Sequence, residues 1–229
     1  MKNKEYKHFI SLGYFCSVAM ELERFGLRSE SGPFDWVISD MRGGVLQLIE
    51  SHFEDFLNPQ YLSQNELYHQ QYRNTKFGIT FYHDFNQYKS LKEQLPDVQK
   101  KYCRRIDRFY ELIKEPTLFV RYISYANQDD KEIRWIEENY DKFIALLKTY
   151  NCENDIIFIA NNGATSKVID IFNVENDAND TVARRPFEKH AELREYFQST
   201  MFAGRSDNLL MYNAKVKKRA SVSYKLRKK

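Results

Sequence analysis

The chain has few of the residues that build disulfide-rich, metal-bound or membrane-spanning proteins. Its 229 residues include three cysteines, eight glycines and five prolines. The cysteines, Cys16, Cys103 and Cys152, are far apart and form no Cys-x-x-Cys pair, which favours free thiols over a zinc or redox motif. No apolar run approaches the roughly 20 residues that cross a bilayer, and the N-terminal residues have no apolar core of the signal-peptide type. We therefore predict a cytoplasmic protein without a transmembrane segment.

The charge of the chain is unevenly distributed. The net charge is +3, but the segment from Lys215 onward carries eight basic residues and no acidic one, so residues 1–214 carry −5. We predict a single α/β domain over 1–214 and a basic, flexible tail over 215–229. Charge alone would let such a tail meet an anionic partner. A solvated end is the favoured interpretation, and the tail gives little support for a nucleic-acid-binding protein.

The residues from His8 to Trp36 form the most informative stretch. Phe9 to Leu12 make a short apolar run of strand length, and Gly13 allows a sharp turn. Apolar residues then recur at helical spacing over 17–25, which predicts an amphipathic helix. Cys16 falls in the loop or first turn before that helix.

The position of Cys16 has chemical meaning. The first N–H groups of a helix have no partner within it, and the helix dipole favours negative charge there. A thiol at this point is expected to ionise more readily than a free one, and the thiolate is the nucleophile. The alternative is a small buried cysteine that fills the corner between strand and helix.

Strands and helices alternate along the rest of the chain. Strands are predicted at 77–83, 117–124, 155–160, 167–174 and 209–212, and irregular structure at 61–76. Helices are predicted at 39–57, 129–150 and 187–200, and a long helical stretch after residue 85 is clearest over 98–113. Ser39 is the predicted N-cap of the first of these helices. This order predicts an α/β fold, with a central, mostly parallel sheet flanked by helices in Rossmann-like layering. Ligands of such folds gather at the carboxyl ends of the strands.

A cysteine nucleophile needs a base, and His83 at a strand end is the candidate. An acid should orient that base. Asp84 is adjacent, but neighbouring side chains on a strand point to opposite faces, so Asp35 is a better or equal candidate. The alternative for His83 is an ordinary strand-end histidine bonded to the backbone.

Three further residues are candidates for substrate binding. Arg121 lies inside an apolar strand and needs a carboxylate or an anionic ligand. Its two interpretations are an anchor for a substrate carboxylate or phosphate and a structural salt bridge, with Asp35 or Asp84 as the suggested partner. Gly13 could hold a phosphate at the helix start, and Trp36 packs in the core or floors a pocket.

Three sequence segments together resemble a bacterial family of unknown function that is named for papain-like cysteine peptidases. They are SLGYFCSVAMELERFGLRSESGPFDWVIS, FYHDF and LFVRY, and the resemblance extends from Phe9 to about Ala160. It implies Cys16 as nucleophile, His83 as general base and Asp84 or Asp35 as the orienting acid. It also implies a papain-like α+β fold as the alternative to the α/β prediction. Papain-like enzymes place a glutamine upstream of the cysteine, where this chain has Ile10 and Ser11.

Three functional hypotheses follow. The first is a hydrolase or acyl transferase that uses a Cys16–His83 pair on a small-molecule, glycan or peptide substrate. The second is a phosphate- or sugar-handling protein of a surface-polysaccharide pathway, with Gly13 and Arg121 as anchors. The third is a non-catalytic binding module with Cys16 in the core. We expect no metal and no cofactor in any of them.

Overall fold

A computed structural model of the chain describes residues 5–28, 30–123, 125, 129–177 and 183–204, the last five by backbone alone. The predicted strand at 209–212 and the basic tail lie outside these residues. The strands are β1 His8–Ser11, β2 Val37–Ile38, β3 Leu62–Gln64, β4 Tyr72–Asn74, β5 Ile79–Phe81, β6 Thr117–Tyr122, β7 Asp155–Asn161 and β8 Ile171–Val174. The α-helices are α1 Ser17–Arg24, α2 Leu46–Glu50, α3 Leu91–Leu112, α4 Lys131–Tyr150, α5 Pro186–Lys189 and α6 Ala191–Gly204.

The first sheet is parallel, with strand order β1-β6-β7-β8. Its central strands read as continuous apolar runs because helices cover both faces. All six residues of β6 are buried, and so are all residues of β7 after the first. The α/β prediction is therefore confirmed, and the carboxyl ends of the four strands lie at one edge of this sheet.

The second sheet is antiparallel, with strand order β2-β5-β4-β3. It includes residues from 61–76, so the prediction of irregular structure there was wrong. Strand β4 was not predicted because it contains Asn74, a polar residue that is fully buried with its hydrogen bonds made. Its amide donates hydrogen bonds to the backbone oxygens of Asp55 and Phe56 at 2.8 and 3.0 Å. A buried polar residue with partners distant in sequence breaks the alternation on which strand prediction depends.

The predicted helix over 39–57 is much shorter in the structure. Asp40 is the N-cap instead of Ser39, since its side chain accepts a hydrogen bond from the N–H of Arg42 at 2.8 Å. A π-helical segment, Met41–Val45, precedes α2. A Cβ on Gly44 would lie 2.6 Å from the Cβ of Phe77, so the close approach of these two backbones requires glycine. After α2, His52, Phe53 and Asp55 have positive φ angles, so the helix does not continue.

Two hydrophobic layers cover the parallel sheet. Alternate residues of β6 face opposite sides: Phe119 contributes to the layer that contains α2, α3, α4 and the second sheet. Leu118 and Val120 contribute to the layer that contains α1, α5 and α6. This alternation decides on which side of the sheet each candidate residue lies.

Candidate active site

Cys16 is the N-cap residue of α1, and a four-residue turn, residues 12–15, joins it to the carboxyl end of β1. Its side chain is partly buried, whereas those of Cys103 and Cys152 are exposed. The turn before it contains a cis peptide bond between Gly13 and Tyr14. The sequence prediction of a strand, a glycine turn and a helix that begins just after Cys16 is confirmed in this segment.

The ionisation of Cys16 differs from the expectation. Burial raises the pKa of the Cys16 thiol above its ordinary value, and a backbone hydrogen bond acts more weakly in the opposite direction. The loss of hydration therefore outweighs the favourable position at the helix start. The resting thiol is protonated at neutral pH and needs a base to become a nucleophile.

The turn that places Cys16 is tightly held. Gly13 has a φ of +81°, and a Cβ there would lie 2.4 Å from the Ser39 hydroxyl oxygen. The carbonyl oxygen of Gly13 accepts a hydrogen bond from the N–H of Tyr122 at 3.2 Å. The carbonyl oxygen of Tyr14 accepts one from the N–H of Ser39 at 3.0 Å. Glycine is therefore required at position 13, because any side chain there would collide with Ser39.

Arg121 is a fully buried structural cation. Its guanidinium pairs with the carboxylate of Glu132, which is 2% exposed. It also donates hydrogen bonds to the Leu12 carbonyl oxygen at 2.8 Å and to the Ser39 hydroxyl at 2.7 Å. The interpretation as a salt bridge fits this geometry, but the suggested partners Asp35 and Asp84 were wrong. Glu132 was missed because it comes second in α4, where an acid is ordinarily explained by the helix dipole.

His83 and Asp84 follow β5, and their side chains have different surroundings. The His83 ring is exposed and meets the Tyr82 ring edge-on, with centroids 4.7 Å apart. The Asp84 carboxylate is 3% exposed and binds two side chains of α3. It accepts from the Lys101 ammonium at 2.5 Å and from the Tyr102 hydroxyl at 2.9 Å. Over the described ranges, no carboxylate is hydrogen-bonded to His83.

Asp35 is buried in the loop after α1. Its carboxylate accepts hydrogen bonds from the Arg28 guanidinium at 2.9 Å and from the Gly32 N–H at 2.8 Å. Burial raises the pKa of the Asp35 carboxyl, and Arg28 opposes that shift. Arg28 also donates to the carbonyl oxygen of Ala19 in α1 at 3.0 Å and lies over the ring of Trp36. The Arg28 guanidinium therefore links the loop that carries Asp35 to α1.

The structure does not bring Cys16 and His83 into hydrogen-bonding contact. Cys16 begins α1, which belongs to the layer on the Val120 side of the parallel sheet. His83 follows β5, whose Phe81 belongs to the layer on the Phe119 side. His83 instead lines a pocket beside α3. The basic residues of that pocket were not predicted as functional from the sequence. The helical spacing of Lys100, Lys101 and Arg104 is nevertheless visible in the sequence.

The parts of the chain that the structure describes contain no group of three or more His, Cys, Asp or Glu side chains placed to hold a metal ion. In those same parts, no helix combines the length and the apolar character that a membrane span requires.

Comparison with known proteins assigns the family. The family model described as "putative papain-like cysteine peptidase (DUF1796)" matches residues 7–162, and the chain belongs to this family. A relative, the uncharacterized protein R408 of Acanthamoeba polyphaga mimivirus, is 33% identical over 178 residues. The match covers 67% of this chain and 77% of the viral protein. The bacterial origin that the resemblance implied gains no support from this viral relative. No solved structure matches the chain.

Proposed function

We propose that the protein is a cysteine hydrolase and that Cys16 is its nucleophile. The observation that carries this proposal is the place of Cys16 at the start of α1, directly after the glycine turn at the edge of the parallel sheet. Unpaired N–H groups of the first helical turn are suited to hold the negative oxygen that forms when sulfur attacks a carbonyl carbon. Family membership supports the same chemistry.

The raised pKa of Cys16 requires a general base in this proposal. We propose His83 for that role. Two other histidines of the family segment are engaged: His8 binds Glu115 at 2.8 Å, and His52 stacks on Tyr110 with centroids 4.6 Å apart. His83 and His69 are both exposed, and their ring nitrogens make no hydrogen bond to any described residue; His83 is the one that stands in the FYHDF segment of the family resemblance. Because the elements that carry the two groups pack on opposite sides of the parallel sheet, this role requires a rearrangement that brings the His83 ring to the Cys16 thiol, directly or through one water.

Asp84 and Asp35 are the acids proposed to orient His83. Asp84 is adjacent in the chain, and its carboxylate is already fixed by Lys101 and Tyr102. Asp35 is fixed by Arg28. An orienting acid acts on the rate and on its pH dependence, so Asp84→Asn and Asp35→Asn should lower turnover beyond any loss of folded protein if either has this role.

The experiment is hydrolysis of p-nitrophenyl acetate by the full chain. The Cys16 thiolate would attack the ester carbonyl, the base would take the thiol proton, and nitrophenolate would leave; water would then release acetate from the thioester. We expect Cys16→Ala to abolish turnover and His83→Gln to lower it by about 10²-fold or more. His69→Gln is the matched control because His69 is also exposed. Equal turnover by the wild type and Cys16→Ala would overturn the nucleophile, and equal turnover by the two histidine variants would overturn the base.

The hypothesis of a phosphate held by Gly13 and Arg121 finds less support. Every nitrogen of the Arg121 guanidinium donates to Glu132, Ser39 or the Leu12 carbonyl. The side chain is 0% exposed, so it offers no donor to a ligand. A carbohydrate or peptide substrate stays compatible with the cysteine chemistry, and we propose a peptide on the basis of the family description.

A further inference from the structure

A positively charged pocket lies between the end of β5 and the first four turns of α3. Its volume is about 660 Å³, in the range of pockets that hold small molecules. His83 and Lys89 line it from the connection before α3. Lys100, Lys101 and Arg104 line it from the helix. Cys16 does not line this pocket, whereas His83, the proposed general base, does.

The cations of the pocket outnumber its acids and are mostly unneutralised. Four basic side chains, those of Lys89, Lys100, Lys101 and Arg104, face two acids, Asp84 and Asp97. Only Lys101 has a salt bridge within the described residues, and its partner is Asp84. Residues 1–214 as a whole carry −5, so a local excess of positive charge stands out against the body of the protein.

The pocket is built before any ligand arrives. Gln94, which is 8% exposed, holds the loop that forms one wall. Its amide oxygen accepts from the N–H of Asn86 at 2.7 Å, and its amide nitrogen donates to the carbonyl oxygens of Asn86 and Lys89 at 3.2 and 2.9 Å. The buried Asp84 fixes the ammonium of Lys101 in the same way. A ligand would thus meet a loop and a lysine that are already ordered.

We propose that this pocket binds a small molecule with two or more phosphate groups. Ammonium groups act on phosphate as point charges, and the Arg104 guanidinium can form paired hydrogen bonds to phosphate oxygens. Tyr82 and Tyr88 are exposed, but neither ring lines the pocket, so the phosphate groups are the part of the ligand that the site recognises.

Calorimetric titration of the full chain with pyrophosphate, ADP and citrate tests the proposal at about 150 mM salt, where diffuse attraction is screened. We expect ADP and pyrophosphate to bind, and citrate to bind at least about tenfold more weakly than either. Lys100→Ala/Arg104→Ala should raise the Kd of both phosphate ligands about tenfold or more, since charge-assisted hydrogen bonds are lost. Both side chains are exposed, so the variant keeps its fold, which its thermal unfolding verifies.

The matched control is Lys217→Ala/Lys218→Ala in the basic tail, which removes the same charge and should leave the Kd within about twofold. Cys16→Ser should bind as the wild type does, because Cys16 does not line the pocket, so the failure of the proposed nucleophile and the failure of this binding site are distinguishable. The proposal is overturned by three results: no binding of the phosphate ligands up to about 1 mM, equal weakening by the tail variant, or citrate binding as tight as that of pyrophosphate.

Discussion

Arg121 and Glu132 form an ion pair that is almost completely withdrawn from solvent, with exposed side-chain fractions of 0% and 2%. The pair joins the end of β6 to the start of α4. Through the Leu12 carbonyl and Ser39, the same guanidinium reaches the turn that precedes Cys16. A residue that resembled a substrate anchor therefore acts as a support for the candidate active site.

Removal of one partner of this pair should destabilise the protein strongly. We expect Arg121→Met to lower the free energy of unfolding by about 3–5 kcal/mol, because it leaves the Glu132 carboxylate buried without its cation. Urea denaturation measures the loss. Lys114→Met is the control: its salt bridge with Glu111 is exposed, so the cost should be below about 1 kcal/mol. Similar costs for the two variants would contradict a supporting role for Arg121.

Gly13 can be tested against a glycine of similar backbone conformation. Gly13 and Gly163 have φ values of +81° and +72°, but only at Gly13 would a Cβ meet other atoms. Alanine at Gly163 incurs backbone strain of about 1–2 kcal/mol. Gly13→Ala adds a clash with Ser39, and we expect about 1–3 kcal/mol of further destabilisation. Thermal unfolding of both variants checks this, and equal losses would show that the contact with Ser39 is unimportant.

The pH dependence of alkylation tests the state of the resting thiol. Burial raises the pKa of Cys16, so at a given pH its thiolate fraction is smaller than that of an ordinary thiol. The iodoacetamide rate at Cys16 should therefore rise through a midpoint at higher pH in the folded protein than in the protein unfolded in urea. Peptide mass spectrometry separates the alkylation of Cys16 from that of the other two cysteines. A lower midpoint for Cys16 in the folded protein would mean that the thiol is already activated.

Asp35 should matter for stability through its buried contact with Arg28. Asp35→Asn removes one of the two carboxylates that pair with the Arg28 guanidinium, which is only 8% exposed, and we expect a loss of about 2–3 kcal/mol in the free energy of unfolding. Asp40→Asn is the matched control, since the Asp40–Arg42 pair is more exposed and asparagine remains a good N-cap. Its cost should stay below about 1 kcal/mol. Chemical denaturation of both variants decides, and a smaller loss for Asp35→Asn would refute the structural role.

The parts of the fold that the sequence predicts are those with local, periodic signals. The alternation of apolar strands and amphipathic helices was enough for the parallel sheet, since a strand buried on both faces is apolar throughout. The predicted helical stretch was clearest over 98–113, and the structure shows its start seven residues earlier, at 91. Pro96 obscured it, although the capping box of Ser90 and Glu93 was available as a signal.

The remaining errors concern contacts between residues distant in sequence. The antiparallel sheet depends on buried Asn74, whose partners lie 18 and 19 residues earlier. The pairing of Arg121 with Glu132 depends on the packing of α4 against the parallel sheet. The hydrogen bonds of Asp84 depend on the packing of α3 against the end of β5. For the candidate site, the sequence correctly placed Cys16 at the helix start, but it could not show that burial raises the pKa of its thiol. Desolvation is a property of the surrounding tertiary structure.

The most direct test of the central claim is to identify which cysteine is acylated by an activated ester. The full chain is treated briefly with p-nitrophenyl acetate, and thioesters are mapped by peptide mass spectrometry. We predict that Cys16 is acetylated before the more exposed Cys103 and Cys152. An ester carbonyl attacked by Cys16 lies beside the first N–H groups of α1, which stabilise its negative oxygen. Acetyl groups on Cys103 and Cys152 with Cys16 unlabelled would contradict this prediction.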